Sequence, residues 1–560
     1  MRTALGVIVY VGLTKAAAYH NASSDYASGA LGPSPYQTFQ SSSSTPVKWN
    51  FDVYPSSPPP PGYIFIAPRD TSVLAHGAYI FDNDGEMVWD GSSWGETMAF
   101  SVQTYQGKSV LALWKGAFNA GGYGNGKQIL LDDMYQVVTN VSTTLVNQTN
   151  DFHEFQITTN DTALITIYAA EQYDLSSFNV TTTDGSQGWL LNCYFQEINI
   201  ATGEAIFTWA SLDHVDPSMG YAAPGSTGVS EDEPWDYFHM NSIEKDDAGN
   251  YLVSSRHCHA VYYISGSDGS ILWTINGKNS SFSMADGSTF EWQHHARWRN
   301  GQSQMTIFDN GAADFESDET TARGLLLNID LSSMSISLSQ SFLPWNSSVS
   351  VSQGSVELES DGSYLIGWGA QPWFSTYSSD GTLLSAVQFG LPPDVQSYRA
   401  IRQNWTAYPT TSPNISVISN NSDSTLSDQY TVSVSWNGAT EVGNWETVGW
   451  SSSSNTSLIN VTKSGFETLA NVGLGGYDGV YVVAYAGNGT KLGMSDVRMK
   501  NGTVVGNSTT SSGASSASPS ASSAAATGTS GAGRSMVGGV NLVQWFVGGS
   551  MGLLGIFSFL

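Results

Sequence analysis

The chain has little basic charge and few charged residues of either sign. Its 560 residues include 20 Lys and Arg against 48 Asp and Glu, a formal net charge of −28 at pH 7. A chain this acidic repels phosphate backbones, so its charge argues against a nucleic-acid partner. Charged residues are only 12% of the total, so glycans and the hydroxyls of Ser and Thr must solvate much of the surface.

Cysteine is scarce as well. Only Cys193 and Cys258 occur, in neighbouring strand-like runs. In an oxidising compartment the two could pair. The sequence leaves open a disulfide or two buried thiols, because it cannot test the Cα separation that a disulfide requires.

Helical periodicity is almost absent, and the chain instead repeats a short β unit. The unit is an apolar strand, a tight turn and a second strand, as around Asp84-Gly85 and Asp268-Gly269. Such turns between alternating strands predict β-hairpins. Over residues 46–408, a spacing of about 60 residues predicts six four-stranded units that close into a six-bladed β-propeller.

Residues 409–500 differ in texture, with short strand-like runs rich in Ser and Asn and no cluster of His, Cys or carboxylates. They predict a small β-sandwich of the immunoglobulin or fibronectin type, serving as a spacer or a lid. The expected fold class is therefore all-β, a six-bladed propeller followed by a small sandwich.

Both ends of the sequence have features of a secreted, membrane-attached protein. Residues 1–18 have the apolar run and small residues of a signal peptide. Residues 501–535 form a stalk rich in Ser, Thr, Ala and Gly, and residues 536–560 are apolar. This order predicts a GPI attachment signal, with a plain membrane segment as the alternative. We therefore expect a secreted cell-surface protein, GPI-anchored to the plasma membrane or cell wall.

Many Asn-x-Ser/Thr sequons support the same compartment. In a secreted chain they predict heavy glycosylation at exposed loops or strand edges. The sequons begin at Asn21, Asn140, Asn147, Asn160, Asn179, Asn279, Asn346, Asn404, Asn414, Asn420, Asn455, Asn460, Asn488, Asn501 and Asn507.

Three histidine segments precede predicted strands, and they contain His153, His239 and His294. Because the β units repeat, these histidines occupy equivalent positions in different units and are expected to converge on the central channel. A further predicted strand ends at Arg256. A buried arginine that faces several histidines predicts a site for a tetrahedral anion, because fixed positive charge lies beside groups that donate, accept or attack.

Arg256 and the neighbouring histidines have structural interpretations too. Arg256 could instead pair with a buried Glu154 or Glu244. Alternation along a strand places His257 and His259 on the face opposite Arg256. The His-Cys-His run suggests a metal, but no second cluster completes a zinc set, so neither a metal nor a cofactor is expected.

The remaining candidates are weaker. Alternation also turns His295 away from the face of His294, which favours a structural role. Residues 309–311 (Asp-Asn-Gly) are most simply a tight turn. Three aromatic residues are candidates to stack on an aryl substrate, although aromatic residues in propellers more often belong to the core; they are Trp292, Phe238 and Trp368.

The stretch from Tyr63 to Lys500 resembles the arylsulfotransferase family, in its fungal, PAPS-independent branch. The resemblance rests on the order and number of several motifs. They lie at residues 151–155, 163–168, 239–256, 271–277, 293–294 and 307–311.

The resemblance implies a six-bladed propeller that moves a sulfuryl group from one phenol to another without a nucleotide donor. It also implies that His294, in the Gln-His motif, is the transient sulfuryl carrier, and that His153, His239 and Arg256 complete the site. The partners would be an aryl sulfate donor and a phenolic acceptor, and a two-step exchange implies ping-pong kinetics. The alternatives are a non-catalytic surface propeller that binds glycans or phenolics, and an adhesion or display protein.

Overall fold

The computed structural model describes residues 17–98, 100–182, 187–420 and 428–506, and this part of the chain is an all-β protein. These residues belong to one compact unit. Most of the predicted signal peptide (residues 1–16 of 1–18), most of the predicted stalk and the apolar tail of residues 536–560 lie outside them. Within the described ranges, no helix has the length and apolar character needed to cross a membrane.

Six sheets follow one another along the chain, and their main strands are antiparallel. The first sheet contains Tyr63–Ile66, Tyr79–Phe81 and Met87–Asp90, and the second contains Phe100–Tyr105, Lys108–Phe118, Gly124–Leu131 and Val137–Val141. The third contains Phe155–Ile157, Thr162–Tyr173, Gly188–Asn199 and Ala205–Ala210. The fourth contains Met240–Lys245, Tyr251–Ser255, Ala260–Ile264 and Ile271–Asn276. The fifth contains His294–Arg299, Gln304–Asp309, Arg323–Asp330, Ser335–Phe342 and the short Ser283–Met284. The sixth contains Ser355–Leu358, Tyr364–Gly367, Trp373–Tyr377 and Leu383–Gln388.

Strands distant in sequence complete the first and sixth sheets. Ile401–Gln403 pairs antiparallel with Tyr63–Ile66, so the first sheet takes one edge from much later in the chain. Trp49–Val53 pairs antiparallel with Leu383–Gln388 in the sixth sheet, and Tyr19–Asn21 lies parallel beside it. The two ends of this region are therefore interlocked by backbone hydrogen bonds.

Apolar clusters fill the space between consecutive sheets. One cluster joins each neighbouring pair from the first sheet to the sixth. A further cluster joins the sixth sheet to the first, with Phe374 against Phe81 and Met87. Each main sheet thus buries both faces, which explains why its strands are apolar on both sides.

The hairpin turns that the sequence predicts are present. Gly85 and Gly269 sit in their turns with φ of 79° and 76°. This left-handed conformation is free of steric cost for glycine, which lacks a Cβ. The Asp-Gly pairs therefore mark the hairpins correctly.

Two more sheets follow the sixth. The smaller contains Asn414–Ser419, Gln429–Ser435 and Thr468–Gly473. The larger contains Val442–Trp450, Asn455–Thr462, Gly479–Ala486, Lys491–Met494, Val497–Met499 and Val504–Val505. Both contribute to one apolar core, in which Val432 and Val434 of the smaller sheet cluster with Trp445 and Val482 of the larger.

These two sheets attach to the outer strands of the first two sheets. Tyr135 stacks on Trp89 with 4.8 Å between ring centroids, and its hydroxyl donates to the Gly438 carbonyl at 3.0 Å. Asn437 donates to the Asp90 carbonyl at 2.9 Å. The contacts place this region beside the outer strands, as a spacer would be.

Helical structure among the described residues is short. It consists of the helix Ser24–Ala27 and the 3₁₀ turns Ser92–Trp94, Ser176–Phe178, Ser211–Asp213, Pro217–Met219 and Asn300–Gln302. A small hairpin, Ala312–Ala313 with Glu316–Ser317, leaves the fifth sheet.

The two cysteines are buried free thiols, so the disulfide that the sequence left open is not formed. Cys193 lies inside the third sheet, and Cys258 follows the fourth sheet's second strand. Burial raises the pKa of Cys258 to about 11, which keeps its thiol protonated and unreactive. The sequon asparagines meet the expectation of exposure: among the described residues all are exposed except Asn420, which is half-buried.

Candidate active site

The three predicted histidines lie at equivalent places in consecutive sheets. His153 precedes the first strand of the third sheet, His239 precedes that of the fourth, and His294 opens that of the fifth. His239 has a φ of 53°, an uncommon conformation for a residue with a Cβ. The repeated topology therefore brings the same strand end, with its histidine, to one place from three sheets.

These histidines line a cavity of about 500 Å³, a size suited to a small aromatic ligand. The ring centroids of His153 and His239 are 4.8 Å apart. The lining comprises Arg69, Glu96, Met98, Phe118, Asn119, Ala120, Gly121, Gly122, Phe152, His153, His239, Arg256, His257, His294, Asp314, Phe315, Ser352, Gln353 and Tyr398. All four predicted catalytic residues are therefore on one surface.

A buried carboxylate orients His153. Asp151 Oδ2 lies 2.7 Å from His153 Nδ1 and accepts the His153 backbone N–H at 2.8 Å. Asp151 also accepts from Thr166 Oγ1 and from the Gly124 backbone. With Nδ1–H committed to the carboxylate, Nε2 is the nitrogen left to exchange a proton.

His239 is held in a similar way. Its Nδ1 lies 2.5 Å from Asp236 Oδ2, and its backbone N–H donates to Asp236 Oδ1 at 3.0 Å. His257 approaches the same residue, with Nδ1 2.6 Å from the Asp236 carbonyl oxygen. Asp236 thus fixes two histidine rings whose centroids are 4.7 Å apart.

Arg256 supplies the fixed positive charge of the cavity. Its Nη1 lies 3.0 Å from His257 Nε2, and its Nη2 donates to the Val351 carbonyl at 2.7 Å. Its guanidinium carbon lies 5.5 Å from the ring centroid of Trp292, within cation–π range. Its Nε has no hydrogen-bond partner among the described residues. Burial lowers the pKa of Arg256 to about 10, which still leaves it charged near neutrality.

His294 is held by an amide instead of a carboxylate. Its Nδ1 lies 2.8 Å from Asn310 Oδ1, and its Nε2 accepts the Gln353 backbone N–H at 3.2 Å. The Asn310 orientation is fixed, since Nδ2 donates to the carbonyls of Ser350 and Gln353. Nδ1 therefore carries the proton and Nε2 the lone pair.

Three histidines of the cavity are neutral at ordinary pH: His239, His257 and His294. Burial lowers the pKa of His294 and of His239 well below the usual value, and the charge of Arg256 lowers both further. Burial also lowers the pKa of His257 to about 3. Because a neutral imidazole keeps its lone pair, His294 can act as a nucleophile without first losing a proton.

The structure corrects the expected placement of His257. Strand alternation predicted that it would face away from Arg256, but the two side chains touch in the cavity. The reason is that the strand Tyr251–Ser255 ends before them, so residues 256–259 form a turn without alternation. His295 behaves as predicted: it faces Glu357, 3.2 Å away, and the Val356 backbone N–H, outside the cavity lining.

Arg256 makes neither of the two glutamate pairs considered. Glu154 pairs with Arg297 at 2.6 Å and Arg399 at 3.3 Å. Burial opposes the ionisation of Glu154, but the two arginines outweigh it and lower its pKa to about 2. Glu244 accepts the Trp298 backbone N–H. Neither glutamate therefore neutralises the positive charge of Arg256.

The predicted aromatic residues separate into two groups. Trp292 is buried behind Arg256 and meets the ring of Phe315 edge-on at 5.2 Å, next to the cavity. Phe238 packs in the core against Tyr262, and Trp368 packs against Phe308 with its Nε1 bonded to Ser375. None of the three, Trp292 included, belongs to the described cavity lining.

One group of side chains has the composition of a metal site. Asp236, His239 and His257 offer ligand atoms within 4.8 Å of one another. However, two of these side chains already bond to Asp236, and the guanidinium of Arg256 lies 3.0 Å from His257. That fixed positive charge opposes a cation and favours an anion.

Sequence reasoning missed several residues of the cavity. Asp151 and Asp236 leave a local signal, because each precedes its histidine by two or three positions. Asn310 directly follows the strand that pairs with that of His294, within the segment 309–311 interpreted from the sequence as a tight turn. Gln353 and Tyr398 leave no signal, because only the packing of segments distant in sequence brings them to the histidines.

The solved structures that resemble this chain share little sequence with it. No curated protein matches the chain. Among solved structures, a protein of unknown function from Bacteroides caccae is 11% identical, covers 61% of this chain and 98% of its own, and has a TM-score of 0.35. A protein from Lactobacillus plantarum is 10% identical over 74% of this chain and 100% of its own, with a TM-score of 0.32. Sqt1 from Saccharomyces cerevisiae is 11% identical over 67% of this chain and 78% of its own, with a TM-score of 0.28.

The family comparison is the informative one. The sequence model of the arylsulfotransferases (ASST) matches residues 101–390, just over half of the chain. The matched region includes His153, His239, Arg256 and His294. The chain therefore belongs to the arylsulfotransferase (ASST) family.

Proposed function

We propose that the protein transfers a sulfuryl group from an aryl sulfate to a phenol, through a covalent intermediate on His294. One observation carries the proposal. A neutral imidazole, with its proton fixed on Nδ1 by Asn310, faces an anion-binding cavity that contains Arg256. Nucleophile and fixed charge are what displacement at the sulfur of a sulfate ester requires.

We also propose that the six sheets are the blades of a β-propeller over residues 46–408. Three features support this arrangement. The six sheets follow in chain order, and each has four antiparallel strands at its core. Apolar clusters lie between all neighbouring sheets, including the sixth and the first, and the late strand Ile401–Gln403 joins the first sheet. Residues 409–500 would be a small sandwich of the immunoglobulin or fibronectin type, supported by two sheets around one core.

In the first step, the lone pair of His294 Nε2 attacks sulfur. An N–S bond forms and the bond from sulfur to the aryl oxygen breaks, so the electron pair leaves with the phenolate. The product on the enzyme is a sulfo-imidazolium that keeps its Nδ1 proton. Because the amide oxygen of Asn310 accepts a hydrogen bond but cannot take that proton, the intermediate stays reactive.

His153 would move the proton. Its Nδ1–H bond to Asp151 stabilises the imidazolium, so protonated Nε2 can donate to the leaving phenolate. In the second step an acceptor phenol attacks sulfur, the N–S bond breaks, and Nε2 of His153 takes the phenol proton. Because the first phenol leaves before the acceptor phenol reacts, the exchange gives ping-pong kinetics.

Arg256 would hold the sulfuryl oxygens, whereas His239, neutral and with its Nδ1 committed to Asp236, would offer the cavity an Nε2 lone pair instead of an N–H. Arg256 brings a full positive charge in a buried cavity, where charge stabilisation is stronger than in water. The backbone N–H of Gln353, which donates to His294 Nε2, is near enough to serve the same oxygens once Nε2 is occupied. Glu96 and Asp314 also line the cavity, and the carboxylate of Asp314 acts on the charge of Arg256.

Turnover by the purified ectodomain tests the proposal. We expect 4-nitrophenolate release from 4-nitrophenyl sulfate to require a phenol acceptor and to be lost in His294→Ala. His295→Ala is the matched control, since His295 is adjacent but faces Glu357 outside the cavity. Its rate should stay within a few-fold of the wild type. If a folded wild type released nothing from this donor or from a second aryl sulfate, a non-catalytic binding module would be favoured.

We further propose that the protein is secreted and held at the cell surface by a GPI anchor. Exposure of the sequon asparagines among the described residues supports the secretory part. Release of the protein from intact cells by phosphatidylinositol-specific phospholipase C would support the anchor, and retention would favour a membrane-spanning segment.

A further inference from the structure

Tyr398 lies in the cavity beside the proposed carrier. Its ring centroid is 5.7 Å from that of His153 and 6.3 Å from that of His294, and it is nearly perpendicular to both rings. Phe152 packs against it at 5.8 Å. The residue is only 1% exposed, and it follows residue 390, where the family match ends.

The Tyr398 hydroxyl has no hydrogen-bond partner among the described residues. Other buried tyrosines of this fold are satisfied: Tyr168 donates to the Met240 carbonyl at 2.7 Å, and Tyr377 donates to that of Leu343 at 2.6 Å. Because buried hydroxyls are nearly always bonded, an exception next to a nucleophile requires a reason. A ligand that brings its own acceptor atoms would provide one.

The surroundings suit a neutral donor. Burial raises the pKa of Tyr398 well above the ordinary value, so the hydroxyl keeps its proton. The guanidinium of Arg399 lies 5.1 Å from the ring centroid. A positive charge next to a phenol ring strengthens its O–H as a donor, and the charge of Arg256 attracts an anion to the same cavity.

We propose that the Tyr398 hydroxyl donates a hydrogen bond to a sulfuryl oxygen, both in the aryl sulfate and as the group passes to His294. This role rests on the proposed function and adds a catalytic residue to it. Tyr398 makes and breaks no covalent bond and keeps its proton throughout. With Arg256 and the Gln353 backbone N–H, it gives a donor for each of the three non-bridging oxygens.

The test is Tyr398→Phe, which removes only the hydroxyl. We expect the single-turnover rate at which 4-nitrophenyl sulfate modifies His294 to fall about 100-fold, as for loss of one preorganised donor. The melting temperature should stay the same or rise, because the substitution removes an unsatisfied polar atom. The matched control is Tyr377→Phe. It loses a satisfied bond outside the cavity, so its melting temperature should fall while its labelling rate stays that of the wild type.

A second readout separates this role from turnover. Benzenesulfonate has three equivalent oxygens but no aryl ester to cleave, and we expect calorimetry to show tenfold weaker binding to Tyr398→Phe than to the wild type. Equal labelling rates and equal affinities in the two proteins would overturn the donor role while leaving the carrier role of His294 intact. A wild type that bound benzenesulfonate through Tyr398 but never labelled His294 would overturn the proposed function instead.

Discussion

At the scale of single residues, two kinds of histidine support distinguish the roles in the cavity. His153 and His239 rest on carboxylates, whereas His294 rests on the amide of Asn310. A carboxylate stabilises an imidazolium and suits a proton carrier. An amide also fixes the ring, but it stabilises an imidazolium less than a carboxylate does. This suits a nucleophile that must later release its sulfuryl group.

This difference leads to a prediction for Asp151→Asn. The variant preserves shape but loses the charge that stabilises protonated His153. We expect kcat/KM for phenyl sulfate, whose poor leaving group needs a proton, to fall by 100-fold or more, as for loss of a general acid. For 4-nitrophenyl sulfate the fall should be less than about tenfold, because nitrophenolate leaves unprotonated. Equal losses with both donors would show that Asp151 has no part in proton transfer.

The sequence predicted the polar residues of the cavity better than its aromatic ones. Rare histidines before strands can be recognised locally, so His153, His239, Arg256 and His294 were identified together. Phe238 and Trp368 were candidates only as aromatic residues, and nothing local distinguishes a core ring from a ligand-binding one. Tyr398 could not be identified, because its place depends on packing between segments far apart in the chain.

At the scale of strands and sheets, the interlocking edge strand is the feature with the clearest energetic consequence. Arg402 lies in Ile401–Gln403, and its Nη1 forms an ion pair with Glu359, just beyond the sixth sheet's first strand. Its Nε also donates to Asn83 at 3.1 Å. Both charged side chains of the pair are about 5% exposed. The pair therefore joins the first and sixth sheets.

We predict that Arg402→Ala destabilises the protein strongly. It leaves Glu359 buried without its charge partner, which typically costs about 3–5 kcal/mol in the free energy of unfolding. Lys500→Ala is the control: its pair with Asp428 is exposed, so the cost should be below about 1 kcal/mol. Denaturant titration measures both. Equal, small effects would mean that the strand is held by its backbone pairing alone.

The hairpins were predictable from the sequence, and the late strand that completes the first sheet was not. Local alternation and the Asp-Gly turns specify pairs of consecutive strands, so the hairpins required only short-range information. The pairing of Ile401–Gln403 with Tyr63–Ile66 carries no comparable signal. The turn after Ser255, which brings His257 to Arg256, was likewise hidden, because strand ends are the least defined part of a periodic pattern.

At the scale of the whole molecule, buried neutral histidines should dominate the pH dependence of stability. The pKa values of five histidines are lowered by burial: His239, His257, His259, His294 and His295. Unfolded histidines take up protons below about pH 6.5, whereas these folded ones do not. The free energy of unfolding should therefore fall as pH drops below about 6.5. Carboxyl groups whose pKa is raised by burial act in the opposite direction as the pH rises from about 4 to 7. Burial raises the pKa of Glu291 to about 7 and that of Asp82 to about 6, and it also raises those of Asp52, Asp236, Glu244, Asp309 and Glu359.

The variant His259→Asn tests this directly. Asn tolerates the positive φ of 48° at this position and does not titrate. Burial lowers the pKa of His259 to about 3, so the loss of stability per pH unit between 6 and 4 should decrease by up to about 1.4 kcal/mol. Thermal or urea unfolding across that range measures the slope. An unchanged slope would mean that His259 is protonated in the folded protein.

The central claim is that His294 carries the sulfuryl group, and peptide mass mapping tests it most directly. The ectodomain is mixed with 4-nitrophenyl sulfate without acceptor, quenched at alkaline pH to preserve the N–S bond, and digested. We predict one added sulfuryl group on the peptide that contains His294. The group should be lost when phenol is added before the quench, and it should be absent from His294→Ala. Nitrophenolate release with an unmodified His294, or with the group on another residue, would contradict the account.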